Sequence, residues 1–245
     1  MLGSGEGKWE VCDFSEISSH AFANENCAGV KAKNFLSPQE IDRTVESILR
    51  IGLEYYEGDD KGGKVVNKGK LGPNFFRFKD DQSEYFRRTA IFEPIFKNKI
   101  LSEVDIVSRV RAVCSSMFQK KSSIATHMGN SMMSCTVRSL QSTPIHRDWL
   151  PGENASLEFS SNLQEQFAWN VYLKMPRSGG GTTIYKERDP AKVTNLTHST
   201  KVTPSEGDLL IFRSTQAHAV AAGSGERLTL SGFFGVAADQ LLFWV

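Results

Sequence analysis

The triplet His146-Arg147-Asp148 sets an imidazole and a carboxylate two positions apart. In an extended segment, side chains two apart project to the same side, so these two groups can reach one metal ion. A second imidazole from elsewhere would put two nitrogens and one carboxylate on one face of an octahedron. That donor set suits a ferrous ion and leaves the opposite positions open for a bidentate oxoacid and then dioxygen. A His-x-Asp triplet is common by chance, and a structural histidine with a satisfied ring is the plainer reading of His146 on the triplet alone.

The second imidazole is expected at His218. The run Glu206-Gly207-Asp208-Leu209-Leu210-Ile211-Phe212 reads as a turn entering a buried strand, and Gln216-Ala217-His218 follows a short loop. A jelly roll can bring such distant strand ends together. Of the rivals, His20 and His127 precede the strand-rich half, and His198 sits in a Thr/Ser/Asn-rich loop. A third signal follows in Arg227-Leu228-Thr229-Leu230-Ser231-Gly232-Phe233, whose period of two puts Arg227, Thr229 and Ser231 on one face and Leu228 and Leu230 on the other. An arginine turned into a barrel is costly unless an anion pairs with it. A carboxylate held by its planar fork, with the Thr229 hydroxyl as a further donor, meets that cost. Alone, Arg227 would read as a surface residue on an edge strand; its place shortly after His218 favours the inward reading.

Other residues keep two readings. In 167–173, Phe167, Trp169, Val171 and Leu173 face one way, and Ala168, Asn170 and Tyr172 the other. Asn170 and Tyr172 are either donors to a bound oxoacid or substrate, or polar groups on the solvent side of a sheet. Arg138, on the same strand face as Thr136, meets either an acidic substrate or a surface carboxylate. Trp149, Phe75 and Phe76 either line the substrate side or pack in the core.

These residues need elements to position them. Ser37, Pro38 and Glu40 read as a capped helix start, with Ile41, Val45, Ile48 and Gly52 on one face and Leu49 beside them. A second helix is expected from a cap at Ser102 to about Phe118, with Asp105 supporting the first turn and Val107, Val110, Cys114 and Met117 as its apolar stripe. Residues 1 to about 34 read as irregular or a short edge strand. Residues 57–74, rich in Gly, Lys and Asp, read as a solvated loop or as a lid over an active site. From about residue 130 short strands are expected at 132–140, 167–173, 182–186, 201–203, 208–213 and 227–236. Helices first and strands after predict an α+β chain of one domain, 1–245: helical support and lid segments over 1–130, and a strand-built core with the candidate metal site over 131–236.

Composition removes several classes. A net charge of +1 gives no electrostatic footprint for nucleic acid or an anionic membrane, and no apolar run is long enough to span a bilayer. The four cysteines, Cys12, Cys27, Cys114 and Cys135, are scattered and read as reduced thiols. MLGSGEGKWEVCDF lacks the basic and apolar regions of a signal peptide, so a soluble, cytoplasmic protein is expected. The sixteen phenylalanines fit an aromatic core or an aromatic-lined pocket.

The spacing His146-x-Asp148, then His218, then Arg227-x-Thr229 resembles the iron(II)/2-oxoglutarate oxygenase superfamily. Within about 130–236, the runs AWNVYLKMPRSGGGTTIY, EGDLLIFRSTQAHAV and RLTLSGFFG look like a branch of small, freestanding hydroxylases and aliphatic halogenases acting on amino acids and alkaloids. The resemblance implies a double-stranded β-helix (jelly-roll, cupin-like) core. It also implies Fe(II) at His146, Asp148 and His218, 2-oxoglutarate on Arg227 and Thr229, and O2 as co-substrate. Halogenases of this type carry Gly or Ala at the carboxylate position. Asp148 departs from that pattern, so hydroxylation is expected, with desaturation or ring formation as other outcomes, on a small-molecule substrate. A nucleic-acid demethylase of the superfamily would carry a second arginine where this chain has Phe233. A protein side-chain hydroxylase and a non-catalytic cupin-like binding protein are the remaining alternatives.

Overall fold

The computed structural model describes residues 9–14, 22, 26–60, 63–140, 142–153 and 156–245, with 55–60 and 63–68 described by backbone alone. The first eight residues, on which the expectation about a leader rests, lie outside the described residues. Eight strands between Thr136 and Val236 form a jelly roll by passing between two sheets. In the larger sheet, Leu209–Arg213, Glu165–Lys174, Leu228–Val236 and Thr136–Ser139 lie side by side. In the smaller, the order is Ser199–Val202, Thr182–Tyr185, His218–Val220, Thr143–His146. The central strand Glu165–Lys174 is buried on both faces because one faces the helices and the other the barrel interior. The two faces read from the Arg227–Phe233 alternation hold: Leu228 and Leu230 join the outer core, and Arg227, Thr229 and Ser231 line the interior.

The larger sheet extends beyond these four strands. Cys27–Ala32 pairs with Leu209–Arg213, and Glu10–Asp13 forms the outer edge beside it. The expected edge strand is therefore present, but Cys27–Ala32 is an interior strand rather than irregular chain. Its small residues explain the fit: a Cβ on Gly29 would lie 2.8 Å from the Ile211 carbonyl oxygen. The same pairing brings Cys12 and Cys27, scattered in sequence, to a sulfur–sulfur distance of 3.7 Å, and burial, with Cys12 beside it, pushes the Cys27 thiol up to about 12.

Three expectations are corrected. Residues 57–74 are not an extended loop: Glu54–Asp60 and Gly63–Leu71 form a hairpin whose second strand pairs with Thr136–Ser139. Polar, Gly- and Lys-rich composition is compatible with a sheet edge, where pairing needs only backbone and charge discourages further strand addition. The second helix spans Ile106–Phe118, capped not by Ser102 but by Asp105, whose carboxylate accepts hydrogen bonds from the Ser108 amide and hydroxyl at 2.9 and 2.7 Å. Leu49 faces solvent, while Thr44 and Ile48 are the buried residues of the first helix, Pro38–Ile51. That helix has the expected capping box, and Glu40 also receives Arg109, which holds its carboxyl down at about 2.

One helix was not anticipated. Gln82–Ile95 runs into a wider turn at Phe96–Ile100, with Pro94 in its last turn. Its apolar residues are spread around the helix, so no stripe marks it in sequence. Its anchor is Tyr85, which is fully buried and donates to the Val245 carbonyl at 2.6 Å while accepting from the Met133 amide at 2.9 Å. Burial pushes the Tyr85 hydroxyl above its usual pKa. The phenylalanines are largely core: Phe167, Phe234 and Phe243 stack on the larger sheet, and Phe118 packs edge-on against Phe167 and Phe234. Among the described residues no helix is long and apolar enough to cross a membrane.

Because the Tyr85 hydroxyl serves two buried backbone groups, Tyr85→Phe leaves both without this partner. The expected loss is about 1–3 kcal/mol, read as a thermal midpoint lowered by roughly 2 °C or more in a domain of this size. An unchanged midpoint would show that this hydroxyl does not anchor the helix.

Candidate active site

His146 ends the strand Thr143–His146 and His218 begins the strand His218–Val220; the two are direct partners in the antiparallel pair. Their ring centroids lie 4.3 Å apart. Asp148 follows in the turn, with its amide donating to the Ser214 carbonyl at 2.8 Å and its own carbonyl accepting from the Ser214 hydroxyl at 3.1 Å. This clamp holds the carboxylate against both rings: Asp148 Oδ2 is 3.8 Å from His146 Nε2 and 3.5 Å from His218 Nε2. One potential ligand atom from each of the three residues lies within 4.8 Å of the others.

The far side of each ring is equally ordered. His146 Nδ1 is 2.8 Å from the Pro144 carbonyl, and His218 Nδ1 is 2.9 Å from that of Gln216. A carbonyl can only accept, so each Nδ1 donates there, and in the neutral imidazole this leaves the Nε2 lone pair facing Asp148. Two imidazole lone pairs and a carboxylate in this disposition can hold a divalent metal, and the mixed nitrogen–oxygen set fits iron(II). The rival histidines are elsewhere: His127 is buried beside Phe86, His198 lies in an exposed stretch, and His20 is outside the described residues.

Two cavities meet at this cluster, sharing a wall of Arg138, Leu140, Thr143, His146, Asp148 and Phe233. The smaller, about 60 Å³, runs into the barrel past His218 and Asn170 to Arg227, Thr229 and Ser231. Arg227 is 4% exposed, and its Nε has no hydrogen-bond partner. Its guanidinium lies 5.2 Å from the centre of the Tyr172 ring, and Ser231 donates to the Thr229 hydroxyl at 3.0 Å. A buried guanidinium with an unmatched donor is a ready seat for a carboxylate, and the interior is reached from the metal-binding atoms. Asn170 and Tyr172 sit on the barrel side, not the solvent side: Asn170 lines this cavity, and Tyr172 is fully buried beneath Arg227, with its hydroxyl 3.5 Å from that of Thr182.

The larger cavity, about 240 Å³, opens on the other side of His146 and Asp148. Phe76 lines it and packs edge-on against Phe233 at 5.5 Å, and Arg138 belongs to both walls. Phe75, in contrast, is fully buried and packs on Tyr85, because the short helix Phe75–Arg77 turns adjacent side chains in different directions. Trp149 lies over Gly152 and against the core. Sequence reasoning missed Lys70, Asn74, Arg77, Lys79 and Glu153, which complete this wall; only the loop-like composition of 57–74 marked the first two, and nothing marked the rest. Burial, and after it the Arg77 guanidinium, holds the Lys70 ammonium down at about 8.

Comparison with known proteins bears on this geometry. The model of the 2OG-Fe(II) oxygenase superfamily matches residues 132–235, which include the three clustered residues and Arg227. The curated L-gamma-glutamyl-L-propargylglycine hydroxylase of Streptantibioticus cattleyicolor is 30% identical over 118 residues, covering 42% of this chain; the match spans 44% of that relative's length. Among solved structures, the N-substituted L-amino acid dioxygenase of Burkholderia ambifaria AMMD aligns with a TM-score of 0.61 at 12% identity, covering 93% of this chain and 90% of its own. A structure of the N-substituted L-amino acid dioxygenase from the same organism in complex with alpha-KG (2-oxoglutarate) aligns at 0.52 and 13% identity, over 71% of this chain and 74% of that one. At such identities the structural likeness speaks to the fold alone, a jelly-roll core. Residues 132–235, less than half of the chain, are similar to the 2OG-Fe(II) oxygenase superfamily.

Proposed function

We propose that the protein is an Fe(II)/2-oxoglutarate-dependent oxygenase that hydroxylates an unactivated C–H bond of a small, amino-acid-like molecule, with release of succinate and carbon dioxide. The observation that carries this reading is the convergence of His146, Asp148 and His218 on one point at the mouth of a cavity that ends on the buried, incompletely matched Arg227. The amino-acid character of the substrate is supported by the matched relative, which hydroxylates a glutamyl amino-acid derivative.

In this reading the three side chains hold the iron, with both imidazoles fixed by the Pro144 and Gln216 carbonyls. Bound iron with 2-oxoglutarate and dioxygen supplies an oxidant strong enough to take hydrogen from carbon. Arg227 and Thr229 receive the far carboxylate of 2-oxoglutarate, with Asn170 as a further polar contact along the cavity and Tyr172 supporting the guanidinium from below. Asp148 fills the ligand position that a halide would need, which favours hydroxylation over halogenation. The substrate enters by the larger cavity, so that its reacting carbon faces the His146–Asp148 edge while Phe76 and Phe233 exclude water.

Protein purified without oxygen, then given Fe(II), 2-oxoglutarate and air, is expected to release succinate, with product sought across amino acids and their glutamyl derivatives by mass spectrometry. His146→Ala and His218→Ala should each lower succinate release by roughly a hundredfold or more, since loss of a ligand removes the metal rather than weakening it. Full turnover in either variant would remove it from the ligand set. Arg227→Ala should act differently: the 2-oxoglutarate KM is expected to rise by about tenfold or more, with a smaller change in kcat at saturation, as for loss of a charge-assisted carboxylate contact. An unaltered KM would place the 2-oxoglutarate carboxylate elsewhere.

A further inference from the structure

Gln166 is a fully buried amide, the second residue of the central strand Glu165–Lys174. Side chains two apart on a strand share a face, so Gln166 falls in the alternation of Ala168 and Asn170, which line the smaller cavity. Its Oε1 accepts from the Leu150 amide at 2.8 Å. Its main-chain carbonyl accepts from the Ser214 amide at 3.1 Å. Ser214 in turn holds the amide and the carbonyl of Asp148. One residue therefore reaches the metal-binding turn twice: through Ser214 to Asp148, and through its own side chain to Leu150, two residues on.

Packing alone does not account for an amide at this position. The Gln166 Nε2 is buried and has no hydrogen-bond partner among the described residues. An unmatched buried donor costs free energy that an apolar side chain of the same length would not incur. The contact that offsets it is the one at Oε1. Leu150 is itself fully buried, so its amide depends on a protein acceptor. Beyond it, the amides of Gly152 and Glu153 close on the Trp149 carbonyl at 3.1 and 3.2 Å, within the short helix Leu150–Glu153. The chain leaving Asp148 is thus pinned at Asp148 by Ser214, at Leu150 by Gln166, and afterwards by its own turn.

We propose that Gln166 is a positioning residue for the metal centre: by holding Leu150 while Ser214 holds Asp148, it fixes the direction from which the Asp148 carboxylate meets His146 and His218. A carboxylate on a turn tied at one point moves with that turn. A second tie two residues later removes the freedom, and such preorganisation shows as metal affinity. The inference rests on the oxygenase reading. It adds that the metal ligands are aligned from the central strand, the same strand that carries Asn170 along the cavity assigned to 2-oxoglutarate.

The test reads metal binding by the metal-free protein, without turnover, with Co(II) as a coloured stand-in for Fe(II). Gln166→Met keeps the length of the side chain and removes the acceptor. Its Co(II) dissociation constant is expected to rise by about tenfold or more, with a changed visible absorption band. Gln166→Glu keeps an oxygen at the same reach and should stay within about threefold of the wild type. Tyr85→Phe, whose lost hydroxyl serves Met133 and Val245 rather than the cluster, should bind Co(II) as the wild type does. A rise there equal to that of Gln166→Met would assign the effect to general destabilisation and overturn the inference. So would a folded Gln166→Met with wild-type affinity, or a Gln166→Glu as weak as Gln166→Met. If Gln166→Met does not fold, Gln166→Asn, whose acceptor falls one methylene short, carries the same expectation and the same refutation. No Co(II) binding by the wild-type protein would overturn the oxygenase reading together with the inference.

Discussion

The site depends on where two imidazole protons are held. His146 and His218 each give the Nδ1 proton to the backbone carbonyl two residues upstream, and this alone turns both Nε2 lone pairs toward Asp148. The carbonyls are fixed because Pro144 lies within a paired strand and Gln216 just before one, and the strands are fixed because His146 and His218 face one another in register. A slip of one residue would send one ring to the opposite face of the sheet. Ser214 closes the arrangement from the larger sheet by bonding the Asp148 backbone on both sides. The cluster is thus held mainly by main-chain groups, which makes its geometry a property of the jelly roll rather than of flexible side chains.

The same strands divide the molecule into two chemistries. Outward faces carry Phe167, Phe234, Leu228 and Leu230 into a continuous apolar core beneath the helices. Inward faces carry Asn170, Arg227, Thr229 and Ser231, polar groups tolerable there because they bond one another or wait for an anion. Close packing on the outside constrains the inside. Gly232 lies where a Cβ would stand 2.8 Å from the Trp169 indole, so the strand can approach its neighbour closely while Phe233, one residue on, reaches the wall shared by the two cavities.

Charge separates those cavities. The smaller holds one buried guanidinium at its end and suits a single carboxylate reached through a narrow channel. The larger is broad, opens to solvent and gathers cations from three separate stretches: the hairpin that extends the sheet, the short helix and turn after it, and the first jelly-roll strand.

Local information in the sequence was enough for much of this. A two-residue period identified the inner and outer faces of the Arg227–Phe233 strand, the Ser37-Pro38-Glu40 cap placed the first helix, and His-x-Asp with a later histidine and arginine named the residues that converge. These signals work because caps and strand alternation are decided within a few residues. What lay beyond it were features set by contacts distant in the chain. The helix Gln82–Ile95 has no apolar stripe and is held by Tyr85 reaching Met133 and Val245. The segment 57–74 reads as loop until its backbone finds Thr136–Ser139. Lys70 looks like one lysine among many until pairing sets it against Arg138. Tertiary structure alone decided the register of His146 against His218 and the gathering of cations on one wall, because strand pairing and burial are settled by the whole core and leave no periodic trace in the residues they unite.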